Sequence, residues 1–339
     1  MSNKITVIGF TGAGKTTYLV GMYIGMSSII KNFTLNATDN NVDNELEVLW
    51  DKICGGTAPA PSSRLDPYEF HLAHNFKPVC DFEWLDYPGA FLAGPNSPER
   101  QRLQEDIKKS DCLLLIVDGE KLSISDAADV SDYIDKVNQR LAFDRGTRNQ
   151  ITNLANLSAQ GISLPPICIV VTKCDLIDVQ YQEAIRSILR DRFSAIFDAP
   201  ERIVLQVSVS LGGPIDENFI PRPFCVEQPI AFSVLTIFIN YIISARQESK
   251  KNADYIFSKK GPIDKRYYSK EIITAKENIK NLENLIGTWA DHCFNLVNLF
   301  SDKKIIYIGG DERNLREYYR DHIRKLTDTS DLVSHIRNL

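Results

Sequence analysis

The chain has 339 residues, of which 43% are hydrophobic and 24% charged, which fits one enlarged globular domain or two and excludes a disordered chain, a collagen-like fibre and a disulfide-stapled miniprotein. The formal net charge is −5: residues 246–339 hold 18 Lys and Arg against 14 Asp and Glu, or +4, leaving −9 for the remainder. A mildly acidic chain is a poor partner for nucleic acid, so none is expected.

The segment 5–9 is a short apolar run that stops at glycine and reads as a buried parallel strand. Residues 15 to about 30 read as a helix, and 31–66 as polar and irregular. Segments 68–76 and 80–85 read as a strand pair joined by a short turn. Continuous apolar strands follow at 112–117, 167–171 and 203–207. Helical patterns separate them at about 98–109, 124–143, 178–198 and 229–246. Strands alternating with helices predict an α/β fold with a mostly parallel sheet, one antiparallel pair and helices on both faces. The apolar stretch 229–245 is at the short limit for a membrane span and contains Ser233, Thr236, Asn240 and Ser244. It reads as a buried helix, and no membrane association is expected.

Beyond Arg246 the character changes. Residues 246–270 hold eight Lys and Arg against three Asp and Glu, with a Gly261-Pro262 break, and read as a linker or exposed basic hairpin. A heptad seam then runs through Ile272, Ala275, Ile279, Leu282, Ile286, Trp289, Cys293, Leu296 and Phe300. It fits an intramolecular helical hairpin or a partner-binding coiled coil. A further helical pattern follows Gly309-Gly310. The expected division is a domain at 1–246 and a helical appendage at 247–339, the latter serving a protein partner or self-association.

Seven cysteines form no Cys-x-x-Cys pair, and Cys112 and Cys168 sit inside apolar runs. They read as buried thiols of a reducing compartment, and the location expected is cytoplasmic. The start of the chain runs almost at once into a strand, and no signal peptide is visible.

The strongest chemical signal is Gly9-Phe10-Thr11-Gly12-Ala13-Gly14-Lys15-Thr16, a full match to G-x-x-x-x-G-K-[ST] between a strand and a helix. Such a loop turns backbone N–H groups onto a β-phosphate, so Gly12, Ala13, Gly14 and Thr17 are candidate nucleotide contacts. Lys15 neutralises the β- and γ-phosphates, Thr16 offers a Mg²⁺ ligand, and the helix N-terminus favours anions. Asp86-Tyr87-Pro88-Gly89 is a D-x-x-G in which Asp86 holds Mg²⁺ and the Gly89 N–H meets the γ-phosphate. Thr172-Lys173-Cys174-Asp175 fits [NT]-K-x-D. There the Asp175 carboxylate accepts two hydrogen bonds from guanine N1 and N2, a donor pair that adenine lacks. Ser208, in Val207-Ser208-Val209-Ser210, stands where a backbone N–H would meet guanine O6.

With these motifs in this order, residues 4–246 resemble the translation-factor and Ras-like class of P-loop GTPases, and within it the bacterial Rab-like or double-GTPase group associated with conflict systems. The finer likeness rests on Asp86-Tyr87-Pro88-Gly89, the Pro59-Ala60-Pro61-Ser62 loop after a helix with Trp50, and the Val226-Glu227-Gln228-Pro229 lead. The resemblance implies a G domain with an enlarged first switch at about 31–67, binding GTP or GDP with Mg²⁺ and acting as a molecular switch.

Two departures bear on mechanism. Ala90 follows Gly89 where many Ras-like GTPases have a water-orienting glutamine, so slow hydrolysis is expected, accelerated by a partner or by self-association through the seam. Glu99, Arg100 and Arg102 are candidates to orient the water, or simply a helix start capped by Ser97 with Pro98. The switch-loop metal ligand falls among Ser62, Thr57 and Ser63. Two other readings stay open: a nucleotide-gated interaction subunit with negligible turnover, and a P-loop ATPase or kinase. His71 and His74, three apart on a strand, face opposite ways and form no metal site.

Overall fold

The computed structural model describes residues 3–60, 66–89, 98–144, 149, 152, 154, 156–157, 163–258 and 269–328. In chain order the elements are β1 (Asn3–Gly9), α1 (Lys15–Ser27), β2 (Phe33–Ala37), α2 (Asn40–Cys54), β3 (Tyr68–His74), β4 (Lys77–Asp86), α3 (Pro98–Lys108), β5 (Cys112–Asp118), α4 (Val130–Phe143), β6 (Ile167–Thr172), α5 (Gln182–Arg192), α6 (Ser194–Phe197), β7 (Ile203–Ser208), α7 (Gln228–Ser258), α8 (Ser269–Val297), β8 (Ile305–Ile308), β9 (Asp311–Asn314) and α9 (Leu315–Thr327). Two compact units divide the chain: Met1–Ser233 with Ile305–Arg313, and Val234–Lys304 with Asn314–Leu339.

The first unit is built on a nine-stranded sheet in the order β2-β3-β4-β1-β5-β6-β7-β8-β9. The central strands β4, β1, β5, β6 and β7 are parallel, while β2–β3, β3–β4 and β7–β8 pair antiparallel. All six residues of β6 and six of the seven in β5 are buried, which is why these strands read as unbroken apolar runs. One face carries Leu113, Leu115, Ile167 and Ile169, packed with Leu103 and Ile107 of α3, Val137 and Leu141 of α4 and Ile185 and Leu189 of α5. The sheet grows outward from β1 in both directions. The carboxyl end of β1 therefore lies at a topological switch point, where open α/β sheets form a crevice.

The stretch 31–66 is not irregular throughout. Besides the helix expected around Trp50, the 15-residue α2, it contains β2, with Phe33, Thr34 and Leu35 buried. The helix buries Val42, Leu46 and Ile53, leaves Val48 exposed and is otherwise mostly acidic and amide-bearing. Asp39 caps it by accepting from the Asn41 N–H at 2.8 Å. Two helical expectations also contract: 124–143 keeps only α4, and 178–198 breaks at Phe193 into α5 and α6.

The expected boundary at 246 falls inside α7, which continues unbroken to Ser258; the division lies at Ser233/Val234. Residues 305–313 are not helical but return to the first unit, where β8 pairs with β7 through Ile203↔Ile308 and Leu205↔Ile306. Gly309 and Gly310, both at positive φ, make the turn into β9. The second unit comprises the later part of α7 with α8 and α9. Ile256 of α7 packs on Ala275 and Ile279 of α8, Tyr241 meets Trp289 at 5.2 Å, and Phe238 stacks on His292 at 5.4 Å. Ala275, Ile279, Ile286, Cys293, Leu296 and Phe300 are all buried. Much of the heptad seam is thus packed within this chain, with Leu282 and Trp289 half-buried. By length and composition α7 could cross a membrane, and 78% of its apolar window is buried within the chain.

Candidate functional site

Gly9 ends β1 against β5: a Cβ there would lie 2.8 Å from the Ile116 Cβ, so only glycine permits the approach. The loop then turns through Gly12 and Gly14 at φ near 84° and 81°, and α1 begins at Lys15 with no side-chain cap. The first N–H groups of α1 are left for a ligand. Lys15 is buried and donates to the Gly9 carbonyl at 2.9 Å and the Phe10 carbonyl at 3.3 Å. Burial lowers its pKa, and the nearby Asp86 charge opposes that.

Asp86 ends β4 beside Val7 of β1. Its two carboxylate oxygens are buried without a hydrogen-bond partner. Burial pushes the carboxyl pKa up to about 6, while the Lys15 charge and the Thr16 hydroxyl, close but outside hydrogen-bond geometry, pull it down. The chain turns away at once: the Tyr87 N–H donates to the Val7 carbonyl at 3.1 Å, and a Cβ on Gly89 would sit 2.2 Å from the Thr11 nitrogen.

Thr172 locks the two halves of the site together, donating to the Ala13 carbonyl at 2.8 Å across 159 positions and lying 3.2 Å from the Val117 carbonyl. Lys173 follows in the left-handed region at φ 50°, with its ammonium 3.0 Å from Asp118 and 2.8 Å from Glu120. Burial works against the Lys173 charge, but the bonds it donates to Glu120 and Asp118 outweigh it and its pKa is raised. Glu120 is lowered in turn by its bond to Lys173.

These elements surround one cavity of about 670 Å³. Gly12, Gly14, Lys15, Thr16, Thr17 and Gly89 line one part, and Lys173 and Asp175 another. Ala13 is buried and contributes the carbonyl that Thr172 holds. Asp86 lies buried beside Lys15 and Thr16, outside the lining itself. The Ser208 hydroxyl meets Gln182 at 3.3 Å, and the residues of that segment that line the cavity are Val209, Ser210 and Leu211. The Val209 N–H is already bonded to the Val171 carbonyl at 2.8 Å.

Ser62, Ser63, Ala90 and the Ser97 cap lie outside the described residues. Thr57 is exposed and does not line the cavity, whereas the next three residues, Ala58, Pro59 and Ala60, do. Glu99, Arg100 and Arg102 do not line it either, and Arg102 lies 3.9 Å from Asp106. Sequence reading missed Asp118, Glu120 and the double role of Thr172. A signal existed for Asp118, the first charged residue after six apolar ones in β5.

A buried carboxylate with both oxygens unpartnered beside a threonine hydroxyl fits a hydrated divalent cation. Among the described residues there is no cluster of three or more His, Cys, Asp or Glu, so a cation here would draw its remaining ligands from water and phosphate.

No family model and no curated protein matches the sequence. Among solved structures, the S. cerevisiae Ski7 GTPase-like domain, bound to GTP, is similar at 16% identity and a TM-score of 0.40, over 70% of this chain and 50% of that one. Elongation factor SelB from Methanococcus maripaludis, with a GTP analogue, gives 13% identity and 0.27 over 61% and 30%. An S. thermophilus NFeoB mutant bound to GDP gives 13% and 0.31 over 95% and 99%. The chain thus spans about half the length of the Ski7 structure. Likenesses this distant leave the activity to the residues of the cavity.

Proposed function

We propose that the chain binds Mg²⁺·GTP in this cavity and works as a guanine-nucleotide switch with slow hydrolysis. The observation that carries the reading is the Thr172–Ala13 bond, which fixes the phosphate loop and the Thr172–Asp175 segment around one cavity. Gly12 and Gly14 open the backbone toward phosphate, and Lys15 exchanges its bonds to Gly9 and Phe10 for phosphate oxygens. Its burial makes that attraction stronger than in water. Asp175 accepts from guanine N1 and N2, and the Leu211 N–H meets O6, since those of Val209 and Ser210 are bonded to the Val171 and Phe224 carbonyls. Thr16 and Asp86 hold the Mg²⁺, which neutralises charge on the β- and γ-phosphates when bound. The Gly89 N–H reports the γ-phosphate to its own loop.

Hydrolysis is in-line attack of water on the γ-phosphate. Ala90 carries no group that orients water, so the isolated chain turns over below about 10⁻² s⁻¹. A place in a bacterial conflict system rests on the motif resemblance alone. Competition against a fluorescent guanine nucleotide tests the base assignment. GTP and GDP displace it and ATP at hundredfold excess does not; equal displacement by ATP would favour a P-loop ATPase or kinase. Phosphate release that stays at background over hours would favour a binding subunit without turnover.

A further inference from the structure

Resting on the guanine-nucleotide reading, we infer that Glu120 is a specificity-determining residue that accepts a hydrogen bond from a ribose hydroxyl, so that the site prefers ribonucleotide to deoxyribonucleotide. Glu120 and Asp175 are the only carboxylates lining the cavity among the described residues. Asp175 is engaged by the base, which leaves Glu120 for another donor. Its place is fixed rather than incidental. Asp118 accepts from the Glu120 N–H at 3.1 Å, which sets the turn after β5. Gly119 brings that turn so close to β6 that a Cβ would lie 2.1 Å from the Thr172 carbonyl oxygen. Lys173 then draws the Glu120 carboxylate to 2.8 Å.

A carboxylate beside a triphosphate is repulsive unless it meets a donor away from the phosphates. Glu120 sits with Lys173, which screens its charge. The bond to Lys173 keeps it ionised and therefore a pure acceptor, with capacity beyond that one bond. In a nucleoside, the donors other than those of the base are the ribose hydroxyls. The Glu120 side chain is 66% exposed, so it carries little of the fold and can be replaced without unfolding the unit.

The test is a titration of wild type, Glu120→Ala and Glu120→Gln with GTP, 2′-deoxy-GTP and 3′-deoxy-GTP, with thermal melts run alongside. Wild type is expected to bind GTP about tenfold more tightly than at least one deoxy analogue, and Glu120→Ala to bring that ratio near one by weakening GTP while leaving the affinity for that deoxy analogue unchanged. Equal binding of all three by wild type would overturn the inference while leaving the guanine reading intact. So would a preference that survives in Glu120→Ala. If the variant weakens all three ligands alike, Glu120 only positions Lys173 and the inference again fails. A wild-type chain that binds none of the three would overturn the guanine reading itself.

Discussion

Two aspartates, one at the cavity wall and one buried beside Lys15, stand in opposite surroundings. Asp175 is exposed at the cavity wall, where its carboxylate can meet donors on a ligand. Asp175→Asn is expected to weaken GTP by about 2–4 kcal/mol, since a charged acceptor of two bonds is lost, and to improve binding of xanthosine triphosphate; calorimetric titration measures both. Asp86 is buried, and its pKa rises from an ordinary 3.8 to about 6. Between those values the folded chain holds more protons than the unfolded one, so stability falls as pH rises through that window, by up to about 3 kcal/mol. Without metal or nucleotide, Asp86→Asn should melt above wild type at pH 7.5 and level with it below pH 4. With nucleotide, it should lose the Mg²⁺ dependence of binding. A variant that melts lower at pH 7.5 would show that the Asp86 charge is already compensated.

At the scale of elements, glycine positions decide whether the two motif loops can meet. Gly119→Ala would drive a methyl into the Thr172 carbonyl, a backbone atom with no room to give. The expected loss is about 2 kcal/mol or more in urea denaturation, with weaker guanine binding because Lys173 moves with Thr172. Unchanged stability would mean that the β5 turn relaxes freely. The phosphate loop and strands β5 and β6 were legible in sequence because composition alone determines them: glycines where the chain must turn tightly, unbroken apolar runs where a strand is covered on both faces. Helix α2 was legible only as a helix holding Trp50, without bounds, because its apolar residues are diluted by acidic and amide ones. At the end of β7 the sequence left the register open: the Ser208 side chain meets Gln182, and the next three residues line the cavity. Strand β8 was invisible for another reason. Four residues, Ile305–Ile308, become a strand by lying between β9 and β7, the latter about a hundred positions earlier.

Across the whole molecule, that late pairing defeats the division suggested by composition. A chain ended at 246 would lose β8 and β9, exposing the edge of β7 along Ile203–Leu205 and removing Tyr307 from its contact with Phe197. It would also lose the Arg190 bond to the Gly310 carbonyl at 2.8 Å. Open apolar edges invite pairing between chains. The shortened chain is expected to aggregate in size-exclusion chromatography, while a chain ended at 328 stays monodisperse; a soluble, nucleotide-binding 1–246 fragment would refute this. The same return hairpin sets an order of events on the ribosome. Every described residue lining the cavity lies at or before Val226, and β8 begins at Ile305. At roughly 5–20 residues per second, about 4–16 s of synthesis separate the two. During that interval the nascent chain already holds both nucleotide loops but not the strand that covers β7, so a nucleotide captured then would be bound before translation of its own sheet is finished.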